Sequence, residues 1–314
     1  MPTSPLLDLS GLVFLRRDAL ARGYSDHQIA GRVRAGEWAR VRRGAYVAGQ
    51  VWDSLGAADR ARLCSRAVLA TAHPNAVLSH VSAALEWGAP VWGLGLEEVH
   101  TTRTDDGAGR REAGVVHHRG VLPLDEVMTQ NGVPVTSPTR CAFEVATLGT
   151  VEQALVTVNG LMGTRLIEPE KFAALCHERR YWPSSLNAHL VCRLADPRLE
   201  SVGETRTAYF LWEHRFPQPV PQHEIRDQDG RLIGRVDFAF PDHGVFVEFD
   251  GTIKYRMFRR PGESLEQFLL HEKRREERIC QLTGWLCFRL GWADLERRDE
   301  TAARLRMVFA RVRA

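Results

Sequence analysis

Apolar positions along this chain recur with two periods, and the places where the period changes mark the elements. Leu12, Leu15, Ala19 and Leu20 stand at helical spacing, which predicts a first helix over 12–23 ended by Gly23. Ser25-Asp26-His27-Gln28 carries Ser at an N-cap and Gln three residues on, a capping box. It predicts a second, short helix with Ile29 and Val33 on one face, stopping near Gly36. Residues 38–47 form two strand runs hinged at Arg43-Gly44. The middle of the chain predicts amphipathic helices over 59–72 and 79–87, strands over 99–102 and 114–118 around a polar loop 104–112, and a short strand at 133–135. A helix then starts at Ser137-Pro138 with Pro at its first position, followed by helices over 151–161 and 169–178. After a turn-rich stretch, 195–203, comes a helix over 204–215. A hairpin joins 222–226 to 231–240 across Asp229-Gly230, a strand runs to Phe249, and a helix covers 264–283. A strand over 284–290 and a helix over 301–312 complete the series.

Three domains follow: 1–52, 53–196 and 197–314. The fold class expected is α+β multidomain. Helix, turn, helix and ribbon is the layout of a winged helix-turn-helix, in which the second helix enters the major groove and the ribbon touches phosphates. Its outward residues would be Gln28, Arg32 and Arg34, and the ribbon would offer Arg40, Arg42 and Arg43. Gln reads adenine edges and Arg guanine edges. Winged-helix units also serve as protein-interaction modules, and arginine on both contact elements favours double-stranded DNA.

Residues 231–255 place three carboxylates where strands want apolar side chains. Glu248 and Asp250 are two apart and share a strand face, and the neighbouring strand brings Asp237 alongside. Clustered acids repel unless a divalent cation or shared protons hold them, so Mg²⁺ or Mn²⁺ is one reading and solvent-facing strand ends the other. Glu204 on a helix, Asp237 on a strand, Glu248-x-Asp250-Gly251 on the next, then a charged helix and a Gly-Trp strand resemble the PD-(D/E)xK nuclease superfamily over roughly 199–295. The nearest likeness is to small domains of the very-short-patch-repair type. The resemblance implies a restriction-endonuclease-like α/β/α fold with a metal-dependent site at Glu204, Asp237, Glu248 and Asp250. Asp250 stands where that family usually has lysine. With only Lys171, Lys254 and Lys273 in the chain, Lys254 is the nearest displaced candidate and Lys273 the second.

Residues 1–50 also look like the amino-terminal domain of the AbiE-type abortive-infection antitoxins. The likeness continues through AHPNAVLSHVSAALEWGAP (72–90), VHTTR (99–103), GVVHHRG (114–120) and GVPVTSPTRCAFEVA (132–146). It implies a mixed α/β antitoxin-like middle domain, DNA-binding autorepression, and a nucleotidyltransferase-like toxin as partner. A homodimer on a palindrome fits that type.

Composition narrows the picture. No apolar run approaches the roughly 18 residues that span a membrane, and no basic stretch followed by an apolar core opens the chain, so the expected location is cytoplasmic. The six cysteines form no ligand-spaced pair and read as reduced thiols. Net charge is +3, with basic ends around an acidic centre, which suits polyanion contact at both ends. His80, His117 and His118 do not predict a metal centre, because adjacent strand residues face opposite sides and no other Cys or His stands at ligand spacing. Ser79-His80 reads as a helix start with its cap. Three functions remain open: a DNA-binding antitoxin-type regulator with a nuclease-like module, a Mg²⁺-dependent endonuclease delivered by the winged helix, and a toxin-binding protein without nucleic acid.

Overall fold

In the computed structural model, which describes residues 6–251 and 264–312, the chain separates into two units, Met1–Ala195 and Asp196–Ala314. The first unit begins with β1 (Phe14–Leu15), α1 (Arg16–Ala21), α2 (Asp26–Arg34), β2 (Trp38–Arg42) and β3 (Ala45–Ala48). The first helix starts later than its periodicity suggests, because Phe14 and Leu15 pair with Tyr46 and Ala45. The sheet order is therefore β1-β3-β2. Ser25 and Gln28 cap α2 reciprocally, as the capping box requires. Gly44 turns the ribbon at φ +77°, a backbone region open to glycine. Phe14, Tyr24 and Tyr46 pack around Trp38 with ring centroids 4.8 to 6.1 Å away, holding β1 and the turn between the helices against the ribbon at about 0.5–1.5 kcal/mol per ring pair beyond burial.

The chain continues through α3 (Gly49–Ser54), α4 (Ala57–Leu69), β4 (Ala76–Leu78), α5 (His80–Glu86), β5 (Val99–Arg103), β6 (Arg110–Glu112) and β7 (Val115–His118). β8 (Val127–Gln130), β9 (Val133–Thr136), α6 (Pro138–Leu148), α7 (Val151–Gly163), α8 (Pro169–Glu178) and α9 (Ser185–Leu194) complete the unit. Its mixed sheet runs β6-β7-β5-β4-β9-β8, with β5/β7 and β4/β9 parallel. Phe143, Val145, Val156 and Phe172 are wholly buried in the helical layer. β6 lies inside the expected polar loop; its three residues are exposed and charged, so no alternation announced it. Charge there also blunts a sheet edge. A buried ionic knot joins the elements: Arg62 (1% exposed) and Arg66 both meet Glu86 (0%) at 3.2 Å, and Asn131 Nδ2 donates to the same carboxylate at 3.1 Å.

The second unit contains α10 (Val202–Glu213), β10 (Val220–Arg226), β11 (Leu232–Phe240), β12 (Val245–Phe249), α11 (Leu265–Thr283), β13 (Leu286–Leu290), α12 (Trp292–Glu296) and α13 (Arg298–Val312). The sheet order is β10-β11-β12-β13, antiparallel twice and then parallel. Phe238, Phe240, Val245, Val247 and Phe249 pack with Phe210, Leu211, Leu305 and Phe309 of α10 and α13. Ala239 and Phe246 pack with Ile279 of α11. Helices therefore cover both faces of one mixed sheet. A Cβ at Gly203 would come 2.0 Å from the Phe249 ring, so glycine is what lets α10 lie this close to β12.

Candidate functional site

Three groupings of side chains carry chemistry, two in the first unit and one in the second. In the first, α2 and the β2–β3 ribbon hold all six residues expected to meet DNA. Arg34, Arg40 and Arg43 are exposed and make no ion pair among the described residues. Arg42 is half-buried on the ribbon. Arg32 is engaged internally: its guanidinium pairs with Glu37 and lies 5.1 Å from the Tyr24 ring centre and 5.5 Å from that of Trp38. That cation–π contact locks α2 to the ribbon. Gln28 Oε1 accepts the Ser25 N–H at 2.8 Å, so the Nε2 donors are what remains for a partner.

In the second unit, Phe238 pairs with Val247, and extending that register by one residue sets Asp237 opposite Glu248. Asp237 Oδ2 accepts the Phe249 N–H at 2.8 Å. Glu248 is buried (6% exposed) and clasped by two guanidiniums, Arg275 Nη2 at 2.8 Å from Oε1 and Arg289 Nη2 at 3.2 Å from Oε2. Arg289 also lies 3.7 Å from Asp250 Oδ2 and donates from Nε to Glu276 Oε2 at 2.5 Å. Asp250 and Glu248 thus share a face. Burial pushes the Glu248 carboxyl above its usual range, with the two guanidiniums pulling it down.

Glu204 is buried, and its carboxylate accepts the Ser201 hydroxyl at 2.7 Å, the Glu200 N–H at 2.9 Å and Gln222 Nε2 at 2.7 Å. These bonds fix the start of α10 to β10. Lys254 lies outside the described residues. Lys273 is exposed beside Glu277. Arg275 turns inward from α11 to Glu248 and donates to the Arg235 carbonyl at 3.2 Å, while Lys273, Arg274 and Arg278 of the same helix are exposed. Arg275 stands four residues before buried Ile279 and so shares its face.

The histidine reading also needs correction. His117 and His118 do point apart, His117 to the Thr101 hydroxyl and His118 to His100. His100, however, lies on the parallel neighbour β5, and His80, His100 and His118 offer ring nitrogens within 4.8 Å of one another. The helix does start at His80 with Ser79 at its N-cap position, but the Ser79 hydroxyl makes no capping bond; it takes the Thr102 hydroxyl and meets His80 Nδ1 at 3.0 Å. All six cysteines are free. No helix among the described residues is long and apolar enough to cross a membrane.

Residues 5–49, which hold α1, α2 and the three-stranded sheet, match the family described as "Transcriptional regulator, AbiEi antitoxin". Residues 91–206, which hold β5 to α9, match the family described as "AbiEi antitoxin C-terminal domain". No curated protein matches the chain.

Proposed function

From a chain that carries the N-terminal and C-terminal domains of the AbiEi antitoxin family, we propose a DNA-binding transcriptional regulator of antitoxin type. The observation that carries the reading is the helix-turn-helix followed by a ribbon, with Arg34, Arg40 and Arg43 exposed on the two elements that would meet a groove and its phosphates. A winged helix is the docking geometry this implies. Arg34 and Gln28 belong to α2, the element for base edges; Arg40, Arg42 and Arg43 belong to the ribbon, the element for the backbone. Arg32 serves the internal packing of that module. A homodimer on a palindrome and a nucleotidyltransferase-like toxin are partners consistent with the type.

The second unit supports a PD-(D/E)xK-like module: helix, three antiparallel strands, helix and a parallel fourth strand, with Asp237 and Glu248 on two adjoining strands and Asp250 just past the end of the second. A catalytic Mg²⁺ or Mn²⁺ there does not fit the donor set as it is arranged. Arg275 and Arg289 already supply the positive charge at Glu248, and a cation would have to displace both guanidiniums from a buried carboxylate. We therefore read the module as a recognition or dimerisation element, and the endonuclease as the second reading that the three acids keep alive.

Supercoiled plasmid incubated with the protein in Mg²⁺, Mn²⁺ or chelator separates the two. Intact plasmid in every condition supports the regulator. Metal-dependent nicking that vanishes in Asp237→Ala/Glu248→Ala would make the protein an endonuclease, with Lys254→Ala as the next variant.

A further inference from the structure

The strongest unassigned grouping lies in the first unit and is independent of the DNA-binding reading. His80 opens α5, His100 lies on β5 and His118 on β7. In the parallel register Thr102 faces His118, so His100 and His118 are diagonal neighbours on one sheet face. His100 Nδ1 and His118 Nε2 stand 2.8 Å apart, a single N–H···N bond in which one ring nitrogen carries the proton. The His80 ring lies face to face with His118, centroids 3.5 Å apart.

Three features distinguish this grouping from ordinary core histidines. His80 and His100 are buried (9% and 6% exposed), yet the only hydrogen bond that joins two of the three rings is the one between His100 and His118. His80 holds φ at +51°, a strained value of the kind that gathers at functional sites. His80 and His118 also line a cavity of about 200 Å³ with Thr102, Arg119, Thr147 and Trp182. Glu144, the nearest carboxylate, is taken up elsewhere: it accepts from Arg140 Nε at 2.7 Å, the Thr136 hydroxyl and the His80 N–H at 3.1 Å each. The donor set is three nitrogens without oxygen. Burial pushes all three imidazoles down, His118 to about 3, so each is neutral at pH 7 and has a lone pair to give.

We propose that His80, His100 and His118 form a binding site for a borderline first-row divalent cation, Zn²⁺ being the probe, with a fourth position open to the cavity. Three imidazoles and an open position are a donor set Zn²⁺ accepts, whereas Mg²⁺ and Ca²⁺ demand oxygen ligands. Two nitrogens bound to one Zn²⁺ at about 2.0–2.1 Å sit slightly farther apart than the bridged pair does here, so a modest opening converts the proton bridge into a metal bridge. The bridging proton moves to the other nitrogen of the same neutral ring, and no net proton is released. His118 and His80 must turn from face-to-face to edge-on, and the cavity beside them gives the room. Ser79, held by Thr102, would fix the His80 tautomer from outside the ligand set.

The experiment uses tag-free full-length protein stripped by chelator and titrated with Zn²⁺ by calorimetry and with Co²⁺ by visible absorption. One Zn²⁺ per chain, Co²⁺ ligand-field bands, no response to Mg²⁺, and loss of binding in His100→Gln/His118→Gln are expected. Ser79→Ala should weaken binding by roughly 10- to 100-fold, while Glu248→Gln/Cys287→Ser, which alters the other grouping of ligand-type atoms, should leave it unchanged. No stoichiometric Zn²⁺ in the native protein, or equal binding in the double histidine variant, would overturn the site. If that variant does not fold, imidazole ¹⁵N shifts of the native protein decide. Zn²⁺-dependent shifts at His80, His100 and His118 support the site, and their absence overturns it.

Discussion

Acid should loosen the first unit through the histidine cluster, and the amount can be worked from one ring. Burial, with help from neighbouring His80 and His100, holds His118 at about 3 when folded, against 6.5 for an ordinary imidazole. Between those values the unfolded chain binds a proton that the native state refuses, so stability falls as pH falls. From pH 7 to pH 5 the unfolded imidazole goes from mostly neutral to mostly charged, and linkage gives a loss of about 2 kcal/mol from His118 alone. The ring is half-buried, so solvent screening makes that figure a ceiling. His80 and His100 are depressed by burial as well and act in the same direction. The perturbation is His118→Phe, which keeps a flat ring to stack on His80 and cannot titrate. Urea unfolding at pH 7 and pH 5, with hydrogen exchange of the segments covering β5 and β7 to localise the change, should show the acid loss reduced by up to about 2 kcal/mol in the variant. If the variant loses as much stability on acidification as the native chain does, His118 is not held neutral by its surroundings and the reasoning fails.

Two further outcomes test the packing. Glu86→Ala leaves buried Arg62 with Asp59 as its remaining carboxylate partner and should destabilise the first unit by about 1–3 kcal/mol, read as a lowered thermal midpoint; an unshifted midpoint would mean the ionic knot is slack. Gly203→Ala drives a methyl into the Phe249 ring and should cost the second unit about 1–3 kcal/mol, with hydrogen exchange faster in α10 and β12 and unchanged in β5.

Elements whose start or turn is written in local chemistry were legible from the chain alone. The Ser25–Gln28 capping box, Pro138 at a helix start and the Asp229-Gly230 hairpin each solve a backbone problem within four residues, and each stands where it was expected. The β8–β9 hairpin carries a local signal of the same kind: Asn131 and Gly132 take φ of +51° and +77°, which an Asn-Gly pair permits. β1 and β6 were not legible, because two residues or three charged ones form a strand only when a distant partner supplies the ladder. The sites divide in the same way. Glu248 and Asp250 share a face by strand periodicity alone, whereas the His100–His118 contact depends on β5 and β7 lying side by side, which no local spacing encodes. The inward turn of Arg275 depends likewise on which face of α11 meets the sheet.

The central claim is that the chain meets DNA through α2 and the β2–β3 ribbon, and its most direct test is the salt dependence of binding. Fluorescence anisotropy of labelled double-stranded DNA from upstream of its own coding sequence would be measured across a salt series for the native protein and for Arg34→Ala/Arg40→Ala/Arg43→Ala. Each lost phosphate contact should reduce the slope of log K against log salt by about 1. Steep salt dependence in the native protein, with lower affinity and a slope shallower by about 2 in the triple variant, from the two ribbon arginines at phosphates, is the expected result. Equal slopes and equal affinity in the two proteins would contradict the claim and move the DNA contact, or the function itself, away from this module.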